Sequence, residues 1–214
     1  VIFENIRSFV RYLFSCNFAE VLTVALASAV NAPLPILPLQ ILFLNLVTDV
    51  FPALALGVGE GDERVMDRPP RDPSEPILPR AFWLEIGGFG TLITASVLSV
   101  LAVALTVLEM PRAEAVTLSF LTLAFAQLWH VFNMRAPRTG WARNEITRNP
   151  WVWGAVGLCI ALLLGAVYVP TVASVMQLVA PSSTGWLLAV GASLVPLFLI
   201  QLYLSIRPPR RSTS

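Results

Sequence analysis

Residues 38–57 read Pro38-Leu-Gln-Ile-Leu-Phe-Leu-Asn45-Leu-Val-Thr48-Asp49-Val-Phe-Pro52-Ala-Leu-Ala-Leu-Gly57. The stretch has the length of one helical crossing of a bilayer's hydrocarbon core, about 20 residues. It holds no basic residue, yet it carries a carboxylate, Asp49, near its middle. Three residues on, Pro52 cannot donate a hydrogen bond to the carbonyl four residues back, which is that of Thr48. The span is therefore broken beside its one charge. Irregular backbone at membrane depth is tolerated only where protein buries it or where it lines a polar cavity. The stretch must then sit inside a bundle of further spans.

Those spans flank it. Long apolar runs lie at about 9–30, 38–58, 83–107, 115–134, 151–169 and 185–205, and the chain reads as an all-α membrane bundle of six transmembrane helices with a broken second span. Hydrophobic residues make up 56% of the 214 and charged ones only 13%, against about 25% charged in a soluble domain. Composition thus excludes an ordinary soluble enzyme. The net charge of +1 is uninformative as a total and its placement is what matters; the lipid bilayer is the expected surrounding, and no nucleic-acid partner is expected. Asn31-Ala-Pro-Leu-Pro-Ile-Leu-Pro38 links the first two spans, and its prolines favour a tight hairpin. The longest polar link runs from about Gly59 to Arg80, and the link from Pro170 to Gly185 holds no charge.

Every basic residue is Arg. With the N-terminus placed in the cytoplasm and sides alternating, Arg7, Arg11, Arg64, Arg68, Arg71, Arg80, Arg135, Arg138, Arg143, Arg148, Arg207, Arg210 and Arg211 fall inside and only Arg112 outside. A span count wrong by one would destroy this separation, so the positive-inside bias supports a multi-pass protein with both termini cytoplasmic, in the cell membrane. Trp83, Trp129, Trp141, Trp151 and Trp186 lie mostly near proposed span ends, as an aromatic belt requires. The N-terminus lacks the pattern of a secretory signal and reads as an amphipathic helix running into a span. Cys16 and Cys159 lie in different apolar runs and read as buried and inert.

Glu20 lies inside the first span and Asp49 inside the second. A carboxylate at mid-bilayer is costly and needs a partner. Neither span offers a basic residue at matching depth, so a bound cation is the simplest partner. Asn17 and Glu20 are three apart; Asn45, Thr48 and Asp49 are three and four apart; each set shares a helical face. Together they offer the carboxylate, amide and hydroxyl oxygens that hard cations such as Ca²⁺ prefer. The carbonyl freed by Pro52 adds a further candidate ligand. The competing reading keeps both carboxylates protonated or bonded to neighbouring helices. Gln127, in the fourth span, can supply one more oxygen or serve as an ordinary interhelical hydrogen-bonding residue. His130 suits packing or an interfacial contact better than ligation. Glu85 lies near the cytoplasmic start of the third span, within reach of the interface, and Gly87, Gly88 and Gly90 suit close helix packing.

Ser15-Cys-Asn-Phe-Ala-Glu20, Pro38 to Asp49, Pro52-Ala-Leu-Ala-Leu-Gly57 and Met66-Asp-Arg-Pro-Pro-Arg71 closely resemble the C-terminal membrane region of P-type cation ATPases, in the calcium-pump-like branch. The resemblance is dense from Asn5 to about Leu78, looser at Phe125 to Arg135, and identifies the chain as the fifth to tenth membrane helices of such a pump. It implies that Asn17 and Glu20 are fifth-helix cation ligands and that Asn45, Thr48 and Asp49 are sixth-helix ligands. Gln127 then matches the eighth-helix position that is Glu in reticulum-type pumps and Gln in plasma-membrane-type ones. The Gly59–Arg80 loop would dock on the phosphorylation domain.

The chain contains neither Asp-Lys-Thr-Gly-Thr nor Thr-Gly-Glu-Ser, the family's phosphorylation and dephosphorylation motifs. No catalytic or nucleotide-binding residue is expected in it, and the phosphorylation, nucleotide-binding and actuator domains and the fourth helix are expected elsewhere. ATP and Mg²⁺ would act through those domains. The expectation is thus the cation-binding and translocation segment of an ATP-driven divalent-cation pump, with Ca²⁺ as cargo, and no ATP hydrolysis by this polypeptide alone. The alternatives are the same fold carrying Mg²⁺, Na⁺, K⁺ or Mn²⁺, or a non-enzymatic membrane fragment or channel.

Overall fold

The computed structural model describes residues 2–59, 80–135 and 140–206. Regular structure among them is entirely helical. Helix α1 spans Ile2–Ala29; α2 spans Pro38–Leu44 and passes through a π-turn, Asn45–Asp49, into α3, Val50–Gly57. Helix α4 is Arg80–Thr106, α5 Arg112–His130, α6 Pro150–Tyr168, α7 Pro170–Met176 and α8 Ser183–Ile206. Six helical segments are long and apolar enough to cross a membrane, with α2, the π-turn and α3 counting as one. The all-helical six-span bundle and its broken second span are therefore as the sequence implies.

Helix α5 is the central post. In its most apolar window 89% is buried, against 28% for α8, so the other spans pack around it. Burial at this depth obliges its hydroxyls to find acceptors at once. Thr117, Ser119 and Thr122 each donate to the carbonyl four residues earlier, the usual device for hydroxyls in membrane helices. Helix α4 lies against α1, α5 and α8. Its approach to α1 depends on Gly90, where a Cβ would stand 2.6 Å from the Phe18 ring and 3.1 Å from the Ser15 carbonyl. Gly87 and Gly88 face open space; of the three glycines only Gly90 has the packing role.

One end of the bundle gathers the start of α1, the end of α3, the end of α5 and the start of α6. Asn5 donates to the carbonyls of Gly57 (3.2 Å) and Gly59 (2.7 Å). Asn149 donates to the Ala55 carbonyl (2.9 Å) while its own oxygen caps α6 by accepting from the Trp151 amide. The last carbonyls of α3, which have no helical donor, are thus satisfied by two neighbouring chain segments.

Several features depart from the sequence reading. The uncharged fifth link contains α7, opened by Pro170 at its first position and closed by Gln177 in the left-handed conformation. Gln40 of α2 donates to the carbonyl of Met176 at the end of α7. Glu85 does not reach an interface: it is 4% exposed and pairs with Arg11 of α1 at 3.3 Å. Both side chains point between α1 and α4, so the pair neutralises itself in the packing. Most of the Gly59–Arg80 loop, and Arg64, Arg68, Arg71, Arg138, Arg207, Arg210 and Arg211 of the charge bias, lie outside the described residues.

Candidate cation site

The π-turn Asn45–Asp49 lies midway along the second span, against α1, α5 and α6. A π-turn puts one extra residue into a helical turn and is common at functional sites. Here it ends three residues before Pro52, whose missing N–H already disrupts the repeat. The turn brings Thr48 and Asp49 inward; both are buried.

Two carboxylates and two amides meet there. Asn17 donates to Asp49 Oδ2 at 2.9 Å, joining α1 to the π-turn. Gln127 donates to Glu20 Oε1 at 2.8 Å, joining α5 to α1. The Thr48 hydroxyl donates to Gln127 Oε1 at 2.9 Å, with the Leu44 carbonyl at the same distance as its alternative acceptor. A chain of polar contacts therefore runs from Glu20 through Gln127 to Thr48, and its neighbour Asp49 continues it to Asn17.

The charge balance of this cluster is its distinctive property. Glu20 is 3% exposed and Asp49 4%. Each receives one hydrogen bond from a neutral amide, and neither pairs with an Arg among the described residues. Asp49 Oδ1 is buried without any hydrogen-bond partner. A buried carboxylate oxygen left in this way is expensive in a low-dielectric interior. The donor set is all oxygen, two carboxylates with amide and hydroxyl groups, and that chemistry fits a hard cation. No group of three or more His, Cys, Asp or Glu side chains gathers anywhere among the described residues, so a cation held here draws on neutral oxygens as well.

Five of the six residues singled out in the sequence form this cluster. Asn17 lies at its exposed margin, beside the exposed Phe14, Phe18 and Val21. Gln127 is fully buried and bridges the two halves. Asn45 is half-buried on the same turn and takes no part in the hydrogen-bonded chain. The Thr48 carbonyl, expected to be free, is instead taken by the Tyr12 hydroxyl at 2.8 Å. The reason is general: a buried carbonyl without its helical donor recruits the nearest one available.

Tyr12 was not singled out in the sequence. It lies eight residues before Glu20, about two turns, so its position on the inward stripe of α1 was a usable signal. Cys159 of α6 was read as inert and proves to touch the π-turn, donating from Sγ to the Val47 carbonyl at 3.0 Å. Spacing offers no signal for that contact, which depends on how α6 packs. His130 is buried between the rings of Tyr12 (6.1 Å) and Phe89 (5.5 Å) and faces Asn133 at 3.2 Å, a packing role.

Known proteins resemble this chain over most of its length. The family model described as "Cation transporting ATPase, C-terminus" matches residues 33–206. The calcium-transporting ATPase of Bacillus subtilis (strain 168) is 39% identical over 201 residues, which cover 93% of this chain and 22% of that protein. The chain thus spans about a fifth of the length of that curated relative.

Proposed function

Because the chain belongs to the family of cation-transporting ATPase C-terminal membrane regions, we propose that it is the ion-binding and translocation segment of an ATP-driven pump whose cargo is Ca²⁺. The observation that carries this reading is the pair Glu20 and Asp49, both buried with no Arg paired to either among the described residues and with Asp49 Oδ1 unpartnered there. A divalent ion supplies the missing charge and takes the unpartnered oxygen as a ligand. The ligand set of this reading is Asn17, Glu20, Asn45, Thr48, Asp49 and Gln127. Thr48 and Gln127 give up their mutual hydrogen bond when their oxygens turn to the ion, a small cost against the electrostatic gain. Further ligands come from the part of the pump outside this chain, which packs on the open side marked by Asn17, Phe18 and Val21.

Both termini are placed in the cytoplasm, on the strength of the Arg distribution. ATP and its Mg²⁺ act in the cytoplasmic part of the pump, and the Gly59–Arg80 loop faces the phosphorylation domain. A phosphorylation-driven pull on the start of α1 then moves Glu20 relative to Asp49 and changes the affinity of the site; the two states differ in their binding of the ion, which is what couples them. Ca²⁺ is chosen as cargo on the name of the relative and on the oxygen donor set together.

The test is ATP-dependent radiotracer uptake into vesicles carrying the intact protein, with Ca²⁺, Mn²⁺, Mg²⁺, Na⁺ and K⁺ offered in turn. The expected result is Ca²⁺ uptake that Asp49→Asn and Glu20→Gln each abolish. Uptake of another ion alone would reassign the cargo, and uptake untouched in both variants would remove these residues from the ion path.

A further inference from the structure

Pro52 withholds one N–H, and which carbonyl loses it depends on the helical repeat. In the four-residue repeat of an α-helix the nitrogen of residue 52 serves the carbonyl of Thr48; in the five-residue repeat of a π-turn it serves the carbonyl of Val47. The second span changes from one repeat to the other just before Pro52, the π-turn ending at Asp49 and α3 beginning at Val50. Both carbonyls have donors from outside the span. Thr48 takes the Tyr12 hydroxyl of α1 at 2.8 Å, and Val47 takes the Cys159 thiol of α6 at 3.0 Å. Val47, Tyr12 and Cys159 are all buried, so water is not available to either carbonyl.

We infer that Cys159 is a positioning residue for the cation site: its thiol sustains the π register of residues 45–49 by satisfying the carbonyl that this register, together with Pro52, leaves without a donor. The inference rests on the proposed ion site and adds to it a residue that is not a ligand. Its consequence for the ion is geometric. A turn that relaxes to the α repeat rotates each residue before the change by part of a turn relative to the residues after it. Asn45, Thr48 and Asp49 lie within the segment affected, so their oxygens move relative to Glu20 and Gln127, which are on other helices. With the thiol present, the Val47 carbonyl keeps a partner and the inward setting of Asp49 is retained.

The test uses the intact protein in vesicles and reads the Ca²⁺ concentration for half-maximal uptake separately from the maximal rate. Replacing Cys159 by Ala leaves a buried carbonyl unsatisfied, and the expected effect is a rise of roughly tenfold in the half-maximal Ca²⁺ concentration. Cys159→Ser keeps a donor and is expected to stay within about twofold of wild type. In a Pro52→Ala background residue 52 has its own N–H, so adding Cys159→Ala is expected to change the half-maximal concentration by less than about twofold, a non-additivity that a packing defect does not produce. Asp49→Asn, run alongside, separates the two claims. If it abolishes uptake while Cys159→Ala and Cys159→Ser have the same half-maximal concentration, the positioning role is wrong and the site stands. If Asp49→Asn leaves uptake intact, the site itself is wrong. A Cys159→Ala protein that fails to accumulate is replaced by Cys159→Val, which restores volume without a donor and carries the same expectation; a Cys159→Val affinity equal to wild type overturns the proposal.

Discussion

Helix α1 carries two buried charges at two depths, and the protein treats them differently. At the level of Arg11, Glu85 of α4 lies 3.3 Å away, and two opposite charges pair within the protein. Two and a half turns further along, Glu20 lies in one polar cluster with Asp49, each with one amide donor and no Arg paired to it among the described residues, and Asp49 keeps an oxygen without a partner there. A buried charge is tolerable only with compensation. Where the protein supplies the compensation the charges serve cohesion; where it withholds it, the position suits a mobile cation. The lesson is that burial of a carboxylate marks a site only when the inventory of its neighbours fails to balance.

The sharpest way to break that comparison is to neutralise one carboxylate at each level. Glu20→Gln is expected to weaken Ca²⁺ binding by about a hundredfold or more, since it removes half the charge that holds the ion. Thermal unfolding of the same variant without cation should be no easier than in wild type, because an uncompensated buried charge has gone. Glu85→Gln should do the reverse, costing up to about 3–5 kcal/mol by removing one charge of a buried pair while the Ca²⁺ concentration for half-maximal binding moves less than about twofold. Equal behaviour of the two variants in both measurements would erase the distinction.

The bundle's two mid-span prolines repeat the contrast on a smaller scale. In α8, Pro196 leaves the Ala192 carbonyl without its helical donor, and the Ser96 hydroxyl of α4 takes it at 2.7 Å; the helix continues unbroken. At Pro52 the break widens into a π-turn and lies beside a charge. Pro52→Ala is expected to shift the half-maximal Ca²⁺ concentration by about tenfold, since it changes which carbonyls need outside donors, and Pro196→Ala by less than about twofold; direct uptake titrations decide it. Ser96→Ala should show the smallest effect, a loss of about 0.6 kcal/mol in unfolding free energy with no change in affinity.

The span count, the hairpin at Asn31–Pro38 and the break at Pro52 were legible because each depends on local chemistry: apolar length, proline's missing donor, and the cost of charge in lipid. Asn31 adopts the left-handed conformation there (φ 52°), which Asn tolerates better than most residues. The inward setting of Glu20, Thr48 and Asp49 was legible for the same reason, since helical spacing puts them on shared faces. What escaped depends on contacts between helices remote in sequence. Glu85 looked able to reach an interface because nothing along α4 reveals that Arg11 faces it. Cys159 looked inert because its acceptor, the Val47 carbonyl, lies 112 residues away along the chain. Helix α7 escaped because a proline in an uncharged link reads as a breaker, whereas at a helix's first position it is favourable.

The most direct test of the account is a density map of the intact protein saturated with Ca²⁺. The account predicts an ion between α1 and the π-turn, about 2.3–2.6 Å from Asp49 Oδ1 and from a carboxylate oxygen of Glu20. A map in which those two side chains are close but hold no ion, while Ca²⁺ is bound elsewhere in the membrane, would contradict it.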